Sequence, residues 1–420
     1  MKREDFSPAC AEHCQREPKG YFAYHPPPLP PKLDLDWALV SLLSEADRAM
    51  AELSGAGQIL PNPHLLIRPY LRREAILSSR IENTIAQMEE LALFEAQEDG
   101  EPKRPDIREV ANYVQALETG LQRLSELPIC SRVICELHAI LLKNVRGGDS
   151  TKTPGEYRRT QNWIGKPGAL LSEATFVPPP PEEMHRALGA WENYLNADTP
   201  EPALVKTAFL HYQFEAIHPF LDGNGRIGRA LITLFLCSRR CLSQPLLYLS
   251  GYFDETRDDY YRLLLNVSLR GDWREWLEYF LRGVRQQAKA ALADTQNILR
   301  CYEDCREKLK QAKRAPQAAA LILDELFGNP VFSISRYSSR TGAPFINVSK
   351  GVEFWIGQGL LQEATGQKRN RWFLAPDLLR IMEPKSPPAA PPGRELTIAE
   401  PAGKTLPEPT GHGEAGQVEH

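Results

Sequence analysis

Twelve consecutive residues, His218-Pro219-Phe220-Leu221-Asp222-Gly223-Asn224-Gly225-Arg226-Ile227-Gly228-Arg229, hold one imidazole, one carboxylate, two guanidinium groups and three glycines. An imidazole with an ordinary pKa near ~6.5 can accept the proton that a hydroxyl must lose to attack phosphorus, which makes His218 the candidate base. Gly223 and Gly225 can adopt positive φ, letting successive backbone N–H groups converge on an anion. Arg226 and Arg229 fall three apart in the first turn of a following helix, where the helix dipole also favours negative charge. Asp222 is a hard oxygen ligand suited to Mg²⁺, which takes one or two carboxylates and completes its shell with substrate oxygens. Singly, these features read as a tight turn, a structural histidine and solvated helix charges. Combined, they form a site for nucleotidyl transfer.

Gly223, Gly225 and Gly228 also spell the G-x-G-x-x-G dinucleotide fingerprint. That fingerprint needs a strand before it and an acidic residue about 20 positions later. Here a helical pattern precedes it and no carboxylate follows until Asp254, so a nicotinamide or flavin cofactor is set aside.

The elements that must position this loop are mostly helical. Apolar spacings of three and four run through 36–56, 69–96, 106–125, 130–143, 182–196, 201–217, 226–240, 256–269 and 272–296. The loop therefore joins two helices. The best strand signals are Asn162-Trp163-Ile164 and Ala174-Thr175-Phe176-Val177, predicting a small β-hairpin. Within 69–96, Ile76, Leu77, Ile81, Ile85 and Met88 make the apolar side, and Ser78 and Glu82 share another face.

The loop resembles the HPFx(D/E)GNGRxxR signature of Fic-domain proteins at every specified position. Tyr157-Arg158, 161–165 and 176–180 resemble that family's flap, and 247–253 and 271–273 resemble segments downstream of the signature, so the likeness covers about 20–285. It implies transfer of AMP from ATP to a hydroxyl side chain of a target protein, with His218 as general base and Asp222 on Mg²⁺. Asn224 and the glycine amides would cradle phosphate oxygens, while Arg226 and Arg229 would meet the β- and γ-phosphates. Asn162, Trp163, Ile164, Phe176 and Val177 would form the flap that docks the target main chain by β-augmentation, and Tyr252 would stack on the base. Ser78, Glu82 and Asn83 resemble the family's (S/T)xxxE(G/N) inhibitory helix, which implies that Glu82 pairs with Arg229 and blocks productive nucleotide binding, and leaves open a role in reversing the modification. Self-association as a homodimer is a further implication, for which no coiled-coil heptad is visible.

The chain has 420 residues, enough for two or three domains. Its net charge of −4 excludes a global basic field that would draw it to nucleic acid or anionic lipid. Neither an apolar run of ~18 residues nor a signal-peptide core is present, so a cytoplasmic protein with no membrane span is expected. Eight cysteines in a chain of this size read as reduced thiols; Cys10-x2-His13-Cys14 departs from the usual zinc half-site. The fold class expected is mainly α, a Fic helical bundle with a β-hairpin flap, an N-terminal helical region and a C-terminal winged-helix domain. Its divisions are a Pro-rich arm over 1–35, the helical region carrying the inhibitory motif over 36–110, the catalytic domain over 111–290, a helical connector over 291–314, a winged helix-turn-helix over 315–383 and a disordered Pro-rich tail over 384–420. Residues 310–382 carry ten basic and five acidic side chains, with Lys368, Arg369 and Arg371 at the wing tip, which makes DNA a candidate partner of 315–383. In the recognition helix, Phe345, Ile346, Val348, Val352, Trp355 and Ile356 read as core. The competing function is a DNA-binding regulator whose Fic site senses nucleotide or modifies itself.

Overall fold

The computed structural model describes residues 1–58, 64–97, 102–145, 151–166, 168–364 and 371–384. The wing tip expected at 365–370, with Lys368 and Arg369, and nearly all of the tail expected over 384–420 lie outside the described residues. Fifteen α-helices are described: α1 (Trp37–Gln58), α2 (His64–Ile81), α3 (Met88–Ala96), α4 (Pro105–Arg123), α5 (Ser131–Leu141), α6 (Pro181–Asn196), α7 (Ala203–Ile217), α8 (Asn224–Ser238), α9 (Ser250–Glu255), α10 (Arg257–Arg270), α11 (Trp273–Gln311), α12 (Gln317–Gly328), α13 (Ile334–Thr341), α14 (Phe345–Gly357) and α15 (Pro376–Met382). Among them none is long and apolar enough to cross a membrane.

The site is built on α7 and α8. Thirteen of the fifteen α7 residues are buried, from Leu204 to Ile217 with only Ala203 and Glu215 outside the set. A helix enclosed on all sides is the centre of its bundle rather than its surface. Trp276 of α11 donates its indole N–H to the Ala208 carbonyl at 3.0 Å, and Trp191 of α6 donates to Leu210 at 2.9 Å, anchoring large rings on this central rod. The loop between α7 and α8 is thus fixed at both ends by core helices.

The helical pattern expected over 69–96 is broken. Ile81 is the last residue of α2, and Asn83 takes a left-handed φ of 62°. Thr84 N–H reaches the Ser79 carbonyl and Asn83 N–H the Arg80 carbonyl, each at 3.0 Å, which is a Schellman ending. The apolar spacing concealed it: Ile81 and Met88 are buried, but Ile85, counted with them, is 56% exposed. Farther on, α11 runs unbroken for 39 residues across the expected boundary at 290/291.

Strands are short. β1 (Cys14–Arg16) and β2 (Phe22–Tyr24) pair antiparallel with Cys14 opposite Tyr24, so much of the arm is folded onto the body rather than a simple Pro-rich lead-in. Tyr24 N–H donates to the Val177 carbonyl at 2.8 Å, and its hydroxyl meets that of Tyr212 at 3.1 Å. Three-residue strands are too short to show a two-residue period, which hid them in the sequence.

At the C-terminal end, α12, β3 (Val331–Ser333), α13, α14, β4 (Gln362–Glu363) and β5 (Trp372–Leu374) follow in order, with the antiparallel sheet arranged β3-β5-β4. Trp355 is fully buried and donates to the Ala319 carbonyl at 2.8 Å, with Val348 and Val352 packed inside. Phe345, Ile346 and Ile356 are instead 53%, 67% and 41% exposed, a correction to their expected place in the core. This region grips α2. Arg72 donates to the Gly328 carbonyl at 2.8 Å and pairs with Glu95 at 2.6 Å. Arg73 donates to the carbonyls of Ile381, Met382 and Glu383 at 2.8, 3.2 and 3.1 Å and pairs with Asp294.

Candidate functional site

The chain leaves α7 through His218, whose φ of 50° and ψ of 61° are left-handed, and enters α8 through Gly223 at φ 78°. A non-glycine residue in that region is uncommon and frequently functional. The loop is braced from inside. Asn224 Oδ1 accepts the Phe220 N–H and its Nδ2 donates to the Phe220 carbonyl, both at 2.8 Å, and Asn162 Nδ2 donates to the same carbonyl at 2.8 Å. The Asn224 side chain, expected to cradle phosphate, is therefore turned inward and committed to shaping the loop.

His218 is 5% exposed and lines an open cleft of about 1840 Å³. Its Nδ1 stands 3.2 Å from the Glu215 carbonyl oxygen. A carbonyl can only accept, so Nδ1 carries the proton and Nε2 is the basic nitrogen. Burial pushes the imidazole pKa below its ordinary value, with Arg158 adding to that and the Glu215 carboxylate opposing it. The ring is thus neutral at pH 7.

Glu82, the C-cap residue of α2, reaches into the same cleft and bridges both arginines. Its Oε1 accepts from Arg229 Nη2 at 2.5 Å, and its Oε2 lies 2.8 Å from Arg226 Nε. Arg229 is 2% exposed and donates also to Ser78 Oγ at 2.7 Å and the Ser78 carbonyl at 3.0 Å. Burial opposes its charge, but Glu82 and nearby tyrosines more than offset that and hold its pKa well above the usual arginine value. Arg226 further pairs with Glu109 at 3.2 Å and Asp222 at 3.6 Å. Gly225 permits this approach, since a Cβ there would lie 2.5 Å from Glu82 Oε1. Ser78, Glu82, Arg226 and Arg229, separated by some 150 positions, are brought together as the resemblance implied, with Arg226 as a second partner of the carboxylate.

Asn83 aims the carboxylate: its left-handed conformation ends α2 one residue after Glu82, and its Oδ1 accepts from Arg257 at 2.9 Å. Asn83→Val, which puts a β-branched residue at φ 62°, is expected to destabilise the fold by about 1–2 kcal/mol, whereas Asn83→Gly keeps the turn; urea unfolding of the two variants checks this.

Asp222 also faces the cleft. Its Oδ2 pairs with Lys152 and its Oδ1 accepts the Gly223 N–H at 2.7 Å. The carboxylate is a hard oxygen donor of the kind Mg²⁺ takes alongside phosphate oxygens, and a metal on Oδ2 would have to displace the Lys152 ammonium. Among the described residues no group of three His, Cys, Asp or Glu could hold a metal by itself.

Two expectations need correction. Tyr252 is not on the cleft: it packs against Tyr279 at 4.9 Å and over Gly283, as part of the α9–α11 interface. The tyrosines that do line the cleft are Tyr260 and Tyr261 of α10, together with Tyr21 and Tyr212. The flap hairpin shrinks to one antiparallel bridge, Ile164 opposite Phe176, joined at 2.8 and 3.0 Å. Asn162, Phe176 and Val177 are buried against the body, while Trp163 and Ile164 are half-buried at the cleft.

Sequence reasoning missed Lys152, Glu109 and His138. His138 is fully buried and stacks on Phe220 with ring centroids 3.7 Å apart. Its Nε2 donates to the Asp222 carbonyl and its Nδ1 accepts the Gly155 N–H, each at 2.9 Å. Burial lowers its pKa to about 4. It is a spacer beneath the loop, and only its place on the apolar face of α5 could have flagged it.

Known proteins resemble this chain over the stretches that carry the site. Residues 40–122 match the Fic/DOC family N-terminal model and 128–236 the Fic/DOC family model. A protein adenylyltransferase Fic of Nematostella vectensis is 30% identical over 189 residues, 44% of this chain and 39% of that protein. A protein adenylyltransferase fic-1 of Caenorhabditis briggsae is 31% identical over 178 residues, 40% of this chain and 31% of that protein. The chain thus spans less than two-fifths of the length of these relatives. A crystal structure of a Fic family protein from Desulfovibrio desulfuricans G20 superposes with a TM-score of 0.52 over 83% of this chain and 98% of that one, at 19% identity, which speaks for a common fold. The loop, α7, all but the last two residues of α8 and the upstream carboxylate fall inside the matched stretches, and this chain accordingly carries a Fic/DOC N-terminal domain followed by a Fic domain.

Proposed function

We propose that this chain is an autoinhibited protein adenylyltransferase that transfers AMP from ATP to a Tyr, Thr or Ser hydroxyl of a target protein and releases pyrophosphate. The observation that carries the reading is the place of His218, which lines the same cleft as Asp222, Arg226 and Arg229 with its Nδ1–H given to the Glu215 carbonyl at 3.2 Å, an arrangement that makes Nε2 the basic nitrogen. His218 Nε2 takes the hydroxyl proton as the oxygen–phosphorus bond forms at the α-phosphate, and the bond from that phosphorus to the bridging oxygen breaks with its electron pair on pyrophosphate. Amides at the N-terminus of α8 and the Arg226 and Arg229 guanidiniums would meet the phosphate charge. Asp222 would hold Mg²⁺, which when bound neutralises phosphate charge. Trp163 and Ile164 would dock a target segment at the cleft edge.

Glu82 acts as the brake in this reading. With its carboxylate on both arginines, the phosphate clamp is occupied and negative charge stands where phosphate must sit. Residues 315–383 are read as a winged helix, a reading supported by the element order and the β3-β5-β4 sheet of their described part. Of the ten basic residues over 310–382, Lys310, Arg340, Arg371 and Arg380 each pair with a carboxylate, and salt-dependent shifts of DNA fragments test the DNA-binding alternative.

The test is the fate of label from ATP. Label on the α-phosphate is expected to enter protein and label on the γ-phosphate is not; transfer of the γ-label instead would make the chain a kinase and end this reading. A pH profile supplies a second check. The folded His218 pKa lies below 6.5, so the base form persists there and the acidic limb of the rate should fall at a pH lower than that of an ordinary histidine. An acidic limb centred at or above pH 6.5 would contradict it.

A further inference from the structure

Arg158 is wholly buried, yet among the described residues no carboxylate pairs with it. Interior guanidiniums are ordinarily met by an acid, because an unpaired buried charge is strongly destabilising. Burial draws its pKa down to about 9. Its donors go to backbone carbonyls instead: Nε to His218 at 2.9 Å, Nη2 to Pro179 at 2.5 Å and to Ile217 at 3.4 Å, and Nη1 to Thr160 at 3.3 Å. Its own backbone N–H donates to the Pro219 carbonyl at 2.9 Å.

These acceptors belong to three segments. Ile217, His218 and Pro219 form the turn that presents the imidazole; Thr160 leads into the flap; Pro179 leads out of it. His218 is held at φ 50°, a conformation sparsely adopted by non-glycine residues and kept only where surroundings impose it. In that conformation its carbonyl points into the protein and needs a buried donor. Arg158 supplies the closest one, with Asn162 Nδ2 at 3.4 Å beyond it. The direction of that carbonyl fixes the direction of the Cα–Cβ bond, and so the aim of the ring.

We propose that Arg158 is a positioning residue, one buried guanidinium that holds His218 in its left-handed conformation and ties it to both ends of the flap, setting the base at a fixed distance from a docked hydroxyl. The proposal rests on the AMP-transfer reading for its effect on rate. Its effect on His218 itself does not depend on that reading. A planar five-donor fork meets four carbonyls in different directions, which the point charge of lysine cannot reproduce.

Arg158→Lys and Arg158→Met are compared in the full-length chain and in a Glu82→Gly background, with melting curves to establish folding. In the Glu82→Gly background, self-modification with α-labelled ATP is expected to slow by about 10- to 100-fold, the usual cost of misplacing a reacting group by an ångström, while binding of a fluorescent ATP analogue stays within about twofold. The independent readout is the His218 ring titration followed by NMR, assigned by its loss in His218→Ala. The charges acting on that ring include Glu215, Arg158 and Glu82, so removing Arg158 in the methionine variant should raise the His218 pKa. A folded lysine variant with parental rate and an unchanged His218 titration in the methionine variant overturn the proposal, as does loss of nucleotide binding in step with rate, which would make Arg158 a general support of the fold. If the methionine variant does not fold, the lysine variant alone carries the rate and binding tests. Absence of any label in Glu82→Gly itself would count against the AMP-transfer reading, and the titration would still judge Arg158.

Discussion

Glu82→Gly is expected to transfer AMP about 10²-fold faster than the parent chain, the scale on which one well-aimed electrostatic group changes a phosphoryl or acyl transfer rate. Its carboxylate is the shared partner of Arg226 and Arg229, at 2.8 and 2.5 Å, and both guanidiniums are nearly inaccessible to solvent. Removing it leaves two buried cations with part of their charge unmet, Arg229 still held by Ser78 and Arg226 by Glu109. A triphosphate is the anion best matched to that deficit, so nucleotide affinity should rise along with rate. Glu82→Gln separates the two causes: it keeps the bulk against Gly225 and loses the charge, and should give a smaller gain. Equal label incorporation by parent and Glu82→Gly on one target would remove the brake from the account.

His218→Ala in the activated Glu82→Gly background should lower transfer by about 10²- to 10⁴-fold, the range for loss of a positioned general base. Binding of a fluorescent ATP analogue should be retained, because Arg226 and Arg229, the proposed phosphate contacts, lie on α8, whereas His218 caps α7. Chain geometry sharpens the expectation. Alanine at φ 50° is itself strained, so part of the loss could come from the turn; His218→Asn, which tolerates the left-handed region, isolates the missing base. Parental rates in both variants would assign the proton to another group.

The loop between α7 and α8 was legible because its signals are compact, an imidazole, a carboxylate, glycines and two arginines within one turn and one helix start, although only Gly223 takes the positive φ expected of Gly223 and Gly225. What it touches was less so. Arg226 reads from sequence as a phosphate contact, and nothing local says that it also pairs with Glu82 and Glu109. Asn224 reads as a phosphate ligand until Phe220 takes both ends of its amide. The helix break at Asn83 was masked because apolar spacing continues through Ile85, whose side chain lies in solvent. Tyr252 shows the opposite failure: an aromatic in a segment resembling the family was assigned to the cleft, and packing against Tyr279 put it elsewhere. Helix existence follows from periodicity, whereas helix ends, strand pairs of three residues and the partners of buried charges follow from tertiary contact.

The grip on α2 through Arg72 and Arg73 sets where the cooperative folding unit ends. The family match stops at 236, but four carbonyls at 328 and 381–383 serve these two buried side chains. A chain cut between α11 and α12 leaves those donors without these acceptors, at about 1–3 kcal/mol each, on the helix whose last turn carries Ser78 and whose C-cap is Glu82. The matched stretches and the cooperative unit therefore have different boundaries here, and a fragment ending after α11 would report on a loosened α2 rather than on the intact chain.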